Sequence, residues 1–173
     1  FMKKYNSKAI EAKWQKVWAK QKLHLAKGGS KKKKYYCLVE FPFPSGDGLH
    51  VGHIRSYTAM DVVARKRRSE GFETLYPMGW DAFGLPTENY AIKTGIAPQV
   101  IAKKNANRYR KQLQSLGFAL DWERELATCA PEYYKWNQWL FLRMLEKGIA
   151  YKKTQVVNWD PVDQTVLANE QVI

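Results

Sequence analysis

The segment Pro42-Phe-Pro-Ser-Gly-Asp-Gly-Leu-His50-Val-Gly-His53 is the most informative part of the sequence, because it joins two regions of different periodicity. Before it, apolar residues alternate through 35–41, which predicts a β-strand. After it, a helical pattern begins near Gly52 and runs to residue 69. A strand, a glycine-rich loop and a helix in this order predict a Rossmann-like α/β fold that binds a nucleotide at the helix N-terminus.

Two histidines lie at the mouth of the predicted helix. His50 and His53 are spaced i and i+3, so both side chains leave the same side of the first turn. Free backbone N–H groups and the positive end of the helix dipole favour phosphate there, and the glycines let the backbone approach a ligand closely. We therefore predict that both histidines donate to phosphate oxygens or to an adenosine. A buried histidine pair or half of a metal site are the alternatives; only Asp61 lies at a useful spacing, which makes the metal alternative weak.

A second candidate site residue is Asp81, in a turn rich in glycine and proline. The turn follows a second predicted strand, Leu75 to Met78. Open α/β sheets bind ligands beyond the carboxyl ends of their strands, where a carboxylate can pair with an ammonium group. The alternative is an aspartate that only caps the following turn.

The remaining pattern predicts helices around a parallel sheet. Helices are expected from Ser7, as N-cap, to Leu25, from Pro98 to Gly117 and from Pro131 to Gly148, and a last strand at about 155–159. The two central strands should be parallel, with a right-handed crossover. We divide the chain into a basic N-terminal helix and linker, residues 1–34, and a partial Rossmann-like domain, residues 35–173.

Composition limits the class of protein. The net charge of +13 is concentrated in residues 1–34, which hold twelve lysines and one acidic residue, Glu11. The run Lys31 to Lys34 is either a solvated surface segment or an RNA contact. No apolar run approaches the about 20 residues that span a bilayer, no secretory signal is visible, and two cysteines suit reduced thiols. We expect a soluble cytoplasmic protein that does not interact with membranes.

Several motifs resemble a known family. The sequence HVGH at 50–53 resembles the HIGH signature of class I aminoacyl-tRNA synthetases and related nucleotidyltransferases. Three further blocks resemble the leucyl enzymes in particular: 77–86 (PMGWDAFGLP), 120–134 (LDWERELATCAPEYY) and 166–172 (VLANEQV). The resemblance covers nearly the whole chain and makes leucine the expected amino acid.

The resemblance implies that leucine is activated by ATP to leucyl-adenylate and then transferred to tRNA(Leu), with Mg²⁺ on the phosphates. By this resemblance the catalytic residues are His50 and His53. ATP binding is assigned to Pro44, Ser45, Gly46, His50, Gly52 and His53. Leucine binding is assigned to Phe41, Pro42, Phe43 and Asp81, with Asp81 and the Phe41 backbone on the amino group. Phe43 stands where the family often has tyrosine, and therefore offers no hydroxyl.

Two departures from the family pattern carry expectations. Asp160 stands where members often have a zinc-binding cysteine, and Asp163 is also a hard ligand, so we expect no zinc. The family's KMSKS loop is absent, and the chain stops at Ile173 where an enzyme would continue. We expect an N-terminal fragment that is weakly active or inactive alone, of unknown oligomeric state. The alternatives are another HIGH-bearing nucleotidyltransferase or a non-catalytic tRNA-binding module.

Overall fold

The chain alternates helices with short strands. The computed structural model describes residues 5–46 and 48–172, and within them it contains five α-helices, six β-strands and a final 3-10 turn at Asn169–Gln171. The helices are α1 Ser7–Gln21, α2 Val51–Ser69, α3 Leu85–Thr94, α4 Pro98–Ser115 and α5 Pro131–Glu146. The strands are β1 Lys34–Tyr36, β2 Glu73–Leu75, β3 Pro77–Trp80, β4 Asp121–Ala127, β5 Asn158–Asp160 and β6 Thr165–Leu167.

The chain forms two compact units. One extends through Tyr134 and the second begins at Lys135, so that α5 crosses the division. The second unit contains an antiparallel hairpin in which Asn158 pairs with Leu167 and Asp160 with Thr165. The division predicted between residues 34 and 35 concerns a different boundary and stays a prediction.

Two parallel strand pairs organise the first unit. β1 pairs with β2 after the intervening helix α2, with Lys34 opposite Glu73. β3 pairs with β4 after two intervening helices, with Trp80 opposite Ala127 and a register shift near the start of β3. Parallel strands joined through helices confirm the predicted α/β class.

The first strand is shorter than its alternation predicts. The strand ends at Tyr36, although the backbone N–H of Cys37 still donates to the carbonyl of Leu75 at 2.8 Å. Burial continues to alternate beyond it, since Cys37 is buried and Leu38 is 69% exposed. The neighbouring strand explains the early end, because β2 stops at Leu75 and the next strand, β3, pairs with β4 instead. The single strand predicted at 75–78 is wrong for the same reason, since it is divided between β2 and β3.

The N-terminal helix also differs from its prediction. Its N-cap is Asn6, whose Oδ1 accepts the N–H of Ala9 at 3.1 Å, and not Ser7. It ends at Gln21 because Lys22 adopts a left-handed conformation, φ 51°. No residue of α1 is buried, and Trp14 remains 46% exposed, so the predicted apolar stripe docks only in part.

Three elements lie outside the predictions. The sequence pattern does not predict α3, β4 or β6, and the last predicted strand at 155–159 begins only at Asn158. In contrast, α2, α4 and α5 fall within one to two residues of their predicted limits. The core of the first unit lies between α2, α4 and the strands, where the fully buried side chains include Tyr57, Tyr76, Met78, Leu113 and Leu120.

Candidate active site

The two predicted histidines form the start of α2. His50 is the N-cap in an extended conformation, and His53 is the third residue of the helix. The N–H of His50 donates to Nδ1 of His53 at 3.2 Å, and the two rings stack with their centroids 3.7 Å apart. The sequence spacing therefore brings the pair together, as predicted.

The hydrogen bond determines which His53 nitrogen faces a ligand. Partial burial lowers the pKa of His53 and nearby His50 lowers it further, while Glu40 acts in the opposite direction. The neutral ring is thus favoured, and since its Nδ1 accepts a hydrogen bond, the proton lies on Nε2. His53 consequently offers one N–H donor at the N-terminus of α2.

Gly52 allows the histidine pair to stack. A Cβ at this position would lie 2.9 Å from Cε1 and from Nδ1 of the His50 ring. Below the pair, Tyr57 stacks on His53 with centroids 5.8 Å apart, and its hydroxyl donates to the carbonyl of Glu40 at 3.1 Å. The stacked rings of His50, His53 and Tyr57 therefore link the N-terminus of α2 to Glu40, which lies just before the loop.

The first half of the loop before α2 is mostly buried. Pro42 and Pro44 are fully buried, Ser45 and Gly46 are half-buried, and Phe43 between the prolines is 47% exposed. Asp47 lies outside the described residues. Three of the predicted ATP-binding residues, Pro44, Ser45 and Gly46, thus lie in the loop before His50, and Gly52 and His53 lie in the first turn of α2.

Asp81 lies beside the start of this loop. Its backbone N–H donates to the carbonyl of Pro42 at 3.1 Å. Its Oδ1 accepts the hydroxyl of Thr128 at 3.2 Å, and that same hydroxyl oxygen accepts the N–H of Ala82 at 3.0 Å. The carboxylate is therefore held from the end of β4, where sequence reasoning had identified no residue.

Phe41 packs on the backbone that leads to Asp81. A Cβ at Gly79 would lie 2.7 Å from Cε2 of Phe41 and 2.9 Å from Cδ1 of Leu126. The Phe41 ring thus covers β3 directly. The structure brings together three of the four residues predicted for leucine, namely Phe41, Pro42 and Asp81, while Phe43 is 47% exposed.

The sequence pattern also did not indicate an ion pair that contacts Trp80 of β3. Arg110 of α4 forms a bidentate ion pair with Glu125. Its Nε donates to Oε2 at 2.8 Å, and its Nη2 donates to Oε1. The indole N–H of Trp80 donates to the same carboxylate. The hydrogen bonds that Arg110 donates to Glu125 raise the pKa of Arg110. This group fixes Trp80, the residue that precedes Asp81.

Other features of the described residues lie away from this site. A cleft of about 540 Å³ separates α1 from 114–123, and another of about 560 Å³ is lined by residues of 18–32 and the end of α2. Across residues 5–46 and 48–172, no helix is long and apolar enough to cross a membrane, and no three His, Cys, Asp or Glu side chains cluster as metal ligands. Asp160 instead shapes the hairpin turn, since its Oδ1 accepts the N–H of Val162 at 2.8 Å. The absence of zinc stays a prediction.

Relatives of known sequence match almost all of the chain. The chain is 58% identical over 172 residues to a leucine–tRNA ligase of Alkaliphilus oremlandii, covering 99% of this chain and 21% of that protein. It is 61% identical over 170 residues to a leucine–tRNA ligase of Nitrosomonas eutropha, covering 98% and 20%. The chain therefore spans about one fifth of the length of these relatives.

Solved structures agree with this similarity. LeuRS of Agrobacterium radiobacter, in a ternary complex with tRNA and LeuAMS, superposes with a TM-score of 0.89 at 42% identity, covering 98% of this chain and 22% of that chain. Methionyl-tRNA synthetase of Mycobacterium tuberculosis, in complex with methionyl-adenylate, gives a TM-score of 0.69 at 23% identity over 80% of this chain and 27% of that chain, which shows a shared fold. The family described as "tRNA synthetases class I (I, L, M and V)" matches residues 13–173. The histidine pair on a helix after a parallel strand, and the family match over nine-tenths of the chain, establish that the protein belongs to the class I tRNA synthetases.

Proposed function

We propose that the protein takes part in the ATP-dependent activation of leucine and in its transfer to tRNA(Leu). The observation that carries the proposal is the loop 42–50, which has Asp81 hydrogen-bonded at its first residue and the histidine pair at its last. One short segment thus connects a carboxylate suited to an ammonium group with donors suited to phosphate. The leucine–tRNA ligases among the relatives support leucine as the amino acid.

The nucleotide side of this site consists of α2 and its histidines. In the proposed reaction, a leucine carboxylate oxygen attacks the α-phosphorus of ATP, the bond to the bridging oxygen of the β-phosphate breaks, and pyrophosphate leaves. Negative charge on the phosphorus oxygens is stabilised by the backbone N–H groups of Val51 and Gly52 in the first turn and by the Nε2–H of His53. No side chain acts as a nucleophile, so catalysis consists of positioning and charge stabilisation.

Mg²⁺ fits this site only as a companion of the phosphates. Since the described residues contain no cluster of three metal-ligating side chains, the phosphate oxygens of ATP would hold the ion. The ion would supply charge neutralisation. Ser45 and Gly46 would approach the nucleotide through their backbone, as their half-buried position allows, and the buried Pro44 would fix the chain that carries them.

The amino-acid side consists of Asp81 and the chain at Phe41. The carboxylate of Asp81, oriented by Thr128, would pair with the α-ammonium group of leucine. The carbonyl of Phe41 would accept a second ammonium hydrogen, and the ring of Phe41 is held against Gly79. Pro42 would fix the distance between these groups through its bond to the Asp81 N–H. Phe43 is exposed and would contribute apolar surface without a hydrogen bond.

Transfer to tRNA and location in the cytoplasm complete the proposal. LeuRS of Agrobacterium radiobacter was solved as a ternary complex with tRNA and LeuAMS, which supports RNA as a partner of this family member as well. The predicted weak activity of the isolated 173 residues, and their oligomeric state, stay open to measurement.

Pyrophosphate exchange tests the proposal. A protein of the relatives' length that carries this sequence should exchange label between pyrophosphate and ATP with leucine, and far less with isoleucine, valine or methionine. Exchange that is independent of the amino acid would favour another HIGH-bearing nucleotidyltransferase. Absence of exchange together with RNA binding would favour a non-catalytic module.

A further inference from the structure

One face of α4 follows the loop that leads to the histidines. Asn105, Tyr109 and Gln112 are spaced i, i+4 and i+7, which places them along one side of the helix. Asn105 and Tyr109 are each 3% exposed. All three side chains belong to an element that neither the motif nor the proposed chemistry includes.

Asn105 holds the first half of the loop. Its Nδ2 donates to the carbonyl of Pro44 at 2.9 Å in a buried position. A buried carbonyl is costly to leave without a donor, so this bond fixes the position of the Pro44 peptide. Tyr109 lies next along the helix, and a Cβ at Gly46 would come within 3.4 Å of its hydroxyl oxygen.

Gln112 holds the second half of the loop. Its Oε1 accepts the N–H of Leu49 at 3.0 Å, one residue before His50. The amide also lies against the backbone of Gly48, where a Cβ would come within 2.8 Å of Nε2. Gly48 is therefore required for the approach of Gln112, and Gln112 fixes the residue from which the N-cap histidine follows.

We propose that Asn105 and Gln112 are positioning residues for the nucleotide. They hold the loop backbone at Pro44 and at Leu49 from the side of α4. In this way they set where the loop and His50 meet the phosphates. The inference rests on the proposed function for its nucleotide, but the two contacts exist independently of any ligand. Loss of either contact should weaken nucleotide binding while leaving leucine binding unchanged, because the carboxylate of Asp81 is held by Thr128 and not by Asn105 or Gln112.

The first test addresses the contact itself in the ligand-free chain, through hydrogen exchange of the Leu49 amide measured by NMR. Gln112→Met removes the acceptor at nearly constant length and should accelerate Leu49 exchange about tenfold. Gln112→Glu retains an acceptor oxygen and should retain slow exchange. Gln114→Met, at an exposed position on the same helix, is the matched control. Equal exchange in Gln112→Met and the parent chain would overturn the contact.

The second test addresses the nucleotide, through calorimetric titration of the folded chains with ATP, with a non-hydrolysable leucyl-adenylate analogue and with leucine. Gln112→Met and Asn105→Leu should each weaken ATP and analogue binding about tenfold, and leucine binding less than about twofold. Equal weakening for leucine and ATP, or no weakening for either, would overturn the positioning role. If the parent chain binds neither ATP nor the analogue, the proposed function fails and the nucleotide role with it, while Leu49 exchange still decides the contact.

Discussion

The backbone N–H of His50 donates to Nδ1 of His53 across 3.2 Å, and the side chain of His50 is placed to accept the backbone N–H of His53 in return. The two histidines thus form a reciprocal capping box at the start of α2, with their rings stacked. His53 is partly buried, whereas His50 is exposed at the N-cap, where the loop ends. The motif therefore shapes the helix N-terminus as well as supplying side chains to it.

Replacement of either histidine should reduce activation more than leucine binding. His50→Ala and His53→Ala each remove a donor to charge that develops in the transition state, and comparable losses in other enzymes amount to about 2.7–4 kcal/mol. The measurement is leucine-dependent pyrophosphate exchange in a protein of the relatives' length, with the leucine dependence recorded separately. A parallel loss of leucine affinity and rate would argue against donation to ATP.

Asp81→Asn should raise the leucine concentration needed for half-saturation far more than that for ATP. The substitution removes the charge proposed to face the ammonium group and conserves the size of the side chain. Pyrophosphate exchange at varied leucine and then at varied ATP separates the two effects.

Thr128→Val is a milder test of the proposed contact between Asp81 and leucine. It leaves the carboxylate charged and removes the hydroxyl that orients it, so the effect on leucine should have the same direction and be smaller, about 1 kcal/mol. Thr128→Ser should restore the parent behaviour. An unchanged leucine dependence in folded Asp81→Asn would assign Asp81 to structure alone.

Gly79→Ala should destabilise the first unit by about 1–3 kcal/mol. The added methyl group would overlap with both Phe41 and Leu126, at 2.7 and 2.9 Å. Gly28→Ala is the matched control, because nothing lies within 4 Å of a Cβ there. Urea unfolding followed by circular dichroism measures both, and equal midpoints for the two variants would contradict the close packing of Phe41 on β3.

His24 should make the stability of the protein depend on pH. Burial, reinforced by Arg68 and Arg65 and opposed by Asp61, lowers the pKa of His24 to about 4 from an ordinary value of 6.5. Because the unfolded chain binds the proton more readily, the stabilisation from neutral His24 is complete above pH 6.5 and is lost as the pH falls towards 4. Thermal unfolding between about pH 7 and pH 4 should therefore show a smaller decrease for His24→Asn than for the parent protein.

An identical pH dependence in His24→Asn and the parent would show that other groups dominate. Glu73 is one of these, since its bond with the N–H of Lys27 lowers its pKa and makes its contribution disappear at still lower pH. The comparison of the two proteins isolates the histidine from such carboxylates.

Prolines and glycines at helix ends explain which helices the sequence predicts well. α4 begins at Pro98 and is followed by Gly117 at φ 70°, and α5 begins at Pro131 and is followed by Gly148 at φ 70°. These residues act locally, through a fixed φ in proline and a left-handed conformation in glycine, so a short window of sequence contains the signal.

Strands and supporting contacts depend on residues far apart in the chain. β4 contains four charged residues in its seven, and Asp121 is nonetheless fully buried, since its Oδ2 pairs with Arg124 and accepts the N–H of Ala26, 95 residues away. Likewise, Thr128 reaches Asp81 over 47 residues and Gln112 reaches Leu49 over 63. The motif residues could be predicted from local sequence, whereas the side chains that hold them could not.

Calorimetric titration of the 173-residue chain with a non-hydrolysable leucyl-adenylate analogue probes the whole proposed site in one experiment, because this molecule would contact both the Asp81 side and the histidine side of the loop. Isoleucyl and methionyl analogues serve as controls for the amino acid, and Asp81→Asn for the site. We expect measurable binding of the leucyl analogue, weaker binding of the other two, and a clear loss in Asp81→Asn. No heat from any analogue in a chain shown to be folded, or equal binding of all three, would contradict the account.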